Sequence, residues 1–99
     1  MDYTYILLNK KSHIFYYGHT NDLKRRLKEH NSGINKSTNP HRPWKLVWYC
    51  GFLTEKESIK FENYLKTGSG KAFAYKRLIS EALAKDILDG RLGISKPKA

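Results

Sequence analysis

Ninety-nine residues accommodate one folded domain with one modest core, and the expected extent is a single unit over 1–99, its core about 3–90 and its tail 91–99 flexible. Nineteen Lys and Arg against nine Asp and Glu give a net charge of +10, a self-repulsion that a polyanionic partner relieves, so nucleic acid is the expected partner and a membrane surface is not. No apolar run approaches the roughly 20 residues that span a bilayer, Met1-Asp2-Tyr3 lacks the basic segment of a secretion signal, and a lone Cys50 excludes an internal disulfide or a zinc ribbon. The expected location is the cytoplasm, at the nucleoid when acting, with Cys50 a buried small hydrophobe.

Taken along the chain, Tyr3 to Leu8 and Ile14 to Gly18 are rich in Tyr, Ile, Leu and Phe, and the polar stretch Asn9 to His13 between them reads as a hairpin turn. Thr20, Asn21 and Asp22 offer N-cap side chains for a helix over Leu23 to His30, which Gly33 stops. Asn31 to Pro43 is too polar to bury and reads as an exposed, mobile connection suited to touching substrate. Trp44 to Tyr49 has strand character. Thr54 with Glu57 forms a capping box that opens a second helix running to about Lys66. Thr67-Gly68-Ser69-Gly70 is expected to end it, and Tyr75, Leu78, Ile79, Ala82 and Leu83 recur at helical spacing until Gly90. There is no internal repeat.

Several residues stand where ordinary packing does not put them. On the first helix Leu23, Arg26, Leu27 and His30 occupy i, i+3, i+4 and i+7, which places a guanidinium and an imidazole on the sheet-facing stripe. Arg26, rather than Arg25, is the arginine expected to enter a partly covered site, where its planar fork suits a phosphate. Glu62 lies beside the apolar stripe of Ile59 and Leu65 and needs a partner: a cation such as Arg26, a structural ion pair, or a divalent metal. Glu55, Glu57, Asp86 and Asp89 sit near helix ends and read as caps or solvated charges. Tyr5 and Tyr16 lie in strands expected to pair, so their hydroxyls can converge near the first helix. A phenol acts as a base only if a cation lowers its pKa, and Arg26 with a metal ion would supply that field.

Gly68-Ser69-Gly70-Lys71 lacks the spacing of a phosphate loop, since Leu65 stands where its first Gly belongs and Ala72 where its Ser or Thr belongs. No nucleotide cofactor is expected. His13, His19 and His41 have no metal-ligand spacing and read as loop residues.

Thr4-Tyr5-Ile6 and Tyr16-Tyr17-Gly18, the run from Asn21 to His30, Pro43-Trp44-Lys45-Leu46-Val47, and Glu62 within Phe61 to Lys66 together resemble the GIY-YIG nuclease domain over about residues 3 to 80. The closest resemblance is to small standalone bacterial members, related to the nuclease subunit of nucleotide excision repair and to homing and restriction nucleases. It implies an α/β (α+β) fold, a small three-stranded antiparallel sheet flanked by about three helices. The implied activity is metal-dependent hydrolysis of DNA phosphodiester bonds, leaving 5′-phosphate and 3′-hydroxyl ends, in repair or processing. Carried over by position, Glu62 would ligate Mg2+ or Mn2+ and Arg26 would hold the scissile phosphate. Tyr5 or Tyr16 would orient or deprotonate the attacking water, and His30 would support phenol and phosphate. DNA contacts are expected from Gly18, His19, Lys24, Arg25, Lys36, Arg42, Lys71, Lys76 and Arg77. Thr4 and Tyr17 depart from the naming triplets, His19 follows Gly18 where some members carry Lys, and an Asn of the last helix region in several members has no counterpart between Lys71 and Gly90. The alternative is a nucleic-acid-binding module with weak or no catalysis.

Overall fold

A computed structural model describes residues 1–9, 11–33 and 43–79. The two Tyr-, Ile- and Leu-rich segments form β1 (Asp2–Asn9) and β2 (Phe15–Thr20), paired antiparallel with Tyr5 opposite Gly18 and Thr4 opposite His19. The turn between them is organised by Asn9, whose Oδ1 accepts from the backbone N–H groups of Lys11 at 3.0 Å and Ser12 at 2.7 Å. This is the local alternative to strand pairing that Asn side chains provide.

The helix α1 (Leu23–Ser32) starts where Asp22 accepts from the Arg25 N–H at 3.0 Å and stops at Gly33, whose φ of 85° is the left-handed cap that glycine adopts without a Cβ penalty. It runs two residues past the expected end, so Asn31 and Ser32 are helical rather than part of the connection. Asn31 then clamps the start of β3 (Trp44–Phe52), accepting from the Trp44 N–H at 2.6 Å and donating to the Trp44 carbonyl at 3.1 Å. The strand order is β2-β1-β3, all antiparallel, with β1 in the centre. Two helices follow, α2 (Glu55–Leu65) and α3 (Gly68–Arg77).

Side chains alternate across the central strand. Tyr5 and Leu7 pack with Trp44, Tyr16, Leu23, Leu27 and Leu46 under α1, whereas Ile6 packs with Tyr17, Leu65, Ala74 and Ile79 under α2 and α3. Burying each large aliphatic side chain contributes about 1.5–3 kcal/mol, so the sheet is held from both faces. A bulge opposite Ile6 and Leu7 inserts Val47 as an extra residue between Leu46 and Trp48. It lets Val47 and Trp48 both join the α2 side while Leu46 stays under α1. The polar anchor of α2 is Thr4, whose Oγ1 donates to the Ser58 carbonyl at 2.8 Å.

Three expectations are corrected. Thr67 to Gly70 follows the end of α2 at Leu65 as expected but also opens α3, which starts at Gly68 rather than near Tyr75: Thr67 caps it by accepting from the Gly70 N–H at 3.0 Å. Cys50 is half-buried rather than buried, because it lies on β3 at the edge of the sheet. His19 belongs to β2 and not to a loop. Among the described residues no helix is long and apolar enough to cross a membrane. The helix expected to run through Leu78 and Ile79 stops earlier: α3 ends at Arg77 with Leu78 as its C-cap. The expected continuation to Gly90, with Asp86 and Asp89, and the connection through 34–42, which holds His41, lie outside the described residues.

Candidate active site

The register that sets Tyr5 opposite Gly18 builds the centre of the site. A Cβ on Gly18 would lie 2.5 Å from the Tyr5 hydroxyl oxygen and 2.7 Å from its Cζ, so the phenol lies across β2 only because position 18 carries no side chain. Its hydroxyl shares a 2.9 Å hydrogen bond with Nε2 of His30, which α1 holds fully buried on the sheet-facing stripe. The Tyr16 ring stands 4.8 Å from the His30 ring and 6.2 Å from that of Trp44. Thus two strands and one helix bring Tyr5, Tyr16 and His30 together.

Arg26 joins them. Its Nη1 donates to Glu29 Oε1 at 3.0 Å, one turn on in α1, and it lines a crevice with Tyr5, Leu7, Leu23, Leu27 and Leu46. Burial opposes the charge on Arg26, but hydrogen bonding to Tyr5 and Glu29 outweighs it and raises the pKa, so the guanidinium stays protonated. Burial dominates at Tyr5 and pushes its pKa up to about 12; Arg26 pulls the other way, and Tyr16 and Glu62 add to the rise. Of the two cations expected to lower this phenol, Arg26 and a metal ion, Arg26 alone does not suffice: with Tyr5 only 1 % exposed, desolvation of the phenolate exceeds its attraction. Burial, then Arg26, brings His30 down to about 4 against the opposing pull of Glu29, so the imidazole is neutral at pH 7.

Glu62 enters from the other face, on α2, and is 9 % exposed. Its partner is Lys66 rather than Arg26: Nζ of Lys66 donates to Oε2 from the next turn. Oε1 lies 4.0 Å from Nε2 of His19, whose Nδ1 is 3.0 Å from Asp2 Oδ2. Donor atoms of Asp2, His19 and Glu55 also lie within 4.8 Å of one another. An open cleft of about 260 Å3 runs along this edge, lined among others by Asp2, His19, Arg25, Arg26 and Glu55.

Of the residues expected to touch DNA, Gly18 is buried under Tyr5 and contributes space rather than contact. Lys24 and Arg25 lie exposed on α1, with Arg25 Nη2 donating to Asn21 at 3.4 Å, and Lys71, Lys76 and Arg77 are exposed on α3. Lys36 and Arg42 are outside the described residues. Glu29, Lys66 and Asp2 were not anticipated as partners. The first two stand at i+3 of Arg26 and i+4 of Glu62, a spacing legible in advance. Asp2 meets His19 only through strand register, for which the sequence has no local signal.

The description "GIY-YIG catalytic domain" matches residues 1–76. The chain belongs to the GIY-YIG family. Among similar proteins, the UPF0213 protein YazA of Bacillus subtilis is 40% identical over 57 residues, covering 57% of this chain and 58% of that protein, less than two thirds of its length. A UPF0213 protein of Clostridium perfringens is 40% identical over 67 residues, 67% of this chain and 71% of that one. The solution NMR structure of the UPF0213 protein BH0048 of Bacillus halodurans is 29% identical, covering 96% of this GIY-YIG chain and 100% of that one, with a TM-score of 0.47.

Proposed function

We propose that the chain is a divalent-metal-dependent endonuclease that hydrolyses DNA phosphodiester bonds to 5′-phosphate and 3′-hydroxyl ends, in DNA repair or processing. The observation that carries this reading is the buried Tyr5–His30 hydrogen bond of 2.9 Å, made beside a permanently charged Arg26 and within the field of Glu62. A neutral polar pair held between a cation and a carboxylate is more than packing requires.

The donor set suits Mg2+ or Mn2+ at Glu62: the carboxylate is nearly buried, Lys66 engages Oε2, and Oε1 lies 4.0 Å from His19 Nε2. When bound, the ion neutralises charge on the phosphate and leaving oxygen and acidifies water. Arg26 supplies a planar fork for the non-bridging phosphate oxygens, where charge grows as the nucleophile attacks. At neutral pH Tyr5 keeps its proton, so it orients the attacking water or phosphate by donating to it, while the neutral His30 fixes the phenol. Tyr16 is the more exposed phenol and is the one placed to meet solvent water.

The test is cleavage of labelled single-stranded, duplex, flap and branched DNA with Mg2+, Mn2+ or EDTA, by wild type, Arg26→Ala and Glu62→Gln. Cutting is expected only with metal and is expected to fall at least about 100-fold in each variant while circular dichroism stays native. DNA binding without cutting by the wild type in either metal rejects the reading in favour of a binding module.

A further inference from the structure

His19 stands between two carboxylates, and the chemistry above uses neither of its nitrogens. We propose that His19, through Nε2, is a second protein ligand of the divalent ion at Glu62, that Asp2 holds it in the ligating tautomer, and that the site therefore selects Mn2+ over Mg2+. This rests on the reading of Glu62 as a metal carboxylate.

The placement follows from the sheet. His19 pairs with Thr4 across β1 and β2, so its side chain shares a face with those of Asp2 and Thr4, the face that α2 covers with Ser58 and Glu62. Asp2 is only 5 % exposed, and because a carboxylate oxygen accepts, the 3.0 Å contact is a hydrogen bond when His19 carries its proton on Nδ1. With the proton on Nδ1 the neutral ring leaves a lone pair on Nε2, which lies 4.0 Å from Glu62 Oε1. Two such acceptors make no hydrogen bond with each other. The two atoms are close enough that a small side-chain adjustment would let both hold one divalent ion. A metal-bound histidine whose other N–H donates to a carboxylate is the usual arrangement, because the carboxylate fixes the ring and raises its basicity. An imidazole in the shell disfavours Mg2+, which takes oxygen ligands, relative to a first-row ion. The cleft beside His19 leaves room for the remaining water ligands.

The test measures Mn2+ and Mg2+ affinity at pH 8, without DNA, by titration calorimetry of wild type, His19→Gln, His19→Ala, Asp2→Asn, Glu55→Gln and Glu62→Gln. Mn2+ broadening of the histidine ring proton resonances is followed alongside. Loss of His19 is expected to weaken Mn2+ binding about 10–100-fold and Mg2+ binding less than about threefold, and Asp2→Asn to weaken Mn2+ about tenfold. Selective broadening of the His19 resonances in wild type supports the proposal. Unchanged Mn2+ affinity in both His19 variants, with binding lost in Glu62→Gln, overturns it and leaves the Glu62 reading standing; His19 is then a structural link between Asp2 and α2. Binding that survives Glu62→Gln but not Glu55→Gln overturns both and moves the ion to Asp2, His19 and Glu55.

Discussion

His30 is buried without its charge, and this makes a single residue visible in the pH dependence of stability. The unfolded chain takes up this proton near pH 6.5, whereas the native chain resists it to about 4. Between those values the unfolded state binds more protons, so stability is complete above about pH 6.5, falls as pH drops toward 4, and changes no further from this group below that. The loss is on the order of 2–3 kcal/mol. Urea unfolding midpoints of wild type and His30→Gln from pH 4 to 8 check this, and the variant is expected to lack that part of the slope. Spacing was enough to separate Arg26 from Arg25, whose side chains are 31% and 60% exposed, because helical geometry assigns faces. It was not enough to give the sign at Tyr5, since desolvation depends on what covers a group.

At the scale of elements, the junction of α2 and α3 turns on two glycines of opposite consequence. A Cβ on Gly68 meets nothing within 4 Å, so Gly68→Ala lowers the entropy of the unfolded chain at no steric cost and is expected to stabilise by about 0.4–1 kcal/mol. A Cβ on Gly70 would lie 1.8 Å from the Tyr64 carbonyl oxygen, so the same change two residues on forces the helices apart. Gly70→Ala is expected to destabilise by about 3 kcal/mol or more, against a propensity gain near 1. Thermal unfolding of both variants reads the two signs. The strands and the Thr54 cap were legible because their signals are local: β-branched and aromatic runs, and a capping box in which Thr54 both accepts from the Glu57 N–H and donates to its carboxylate. The short link between α2 and α3 was not, because glycines that usually end a helix here permit two helices to meet.

At the scale of the whole molecule, a charge of +10 on 99 residues would make the proposed binding of nucleic acid steeply salt dependent. With catalysis disabled by Glu62→Gln, the logarithm of duplex affinity is expected to fall linearly with the logarithm of salt, and Lys24→Ala and Arg25→Ala each to reduce the slope by about one. Fluorescence anisotropy across a salt series measures it, and an unchanged slope removes these two side chains from the interface. Charge, the succession of strands and helices along the chain, and the choice of Arg26, His30 and Glu62 as candidates were legible in the sequence itself, since each depends on composition or on spacing within one element; Tyr5 and Tyr16 rested on the expected strand pairing and the resemblance. Only the tertiary structure decided that Tyr5 lies over Gly18 onto His30, that Glu62 is held by Lys66, and that His19 sits between Asp2 and Glu62. Those outcomes depend on strand register and on which faces meet, and a contact between residues far apart in the chain leaves no periodic mark in either segment.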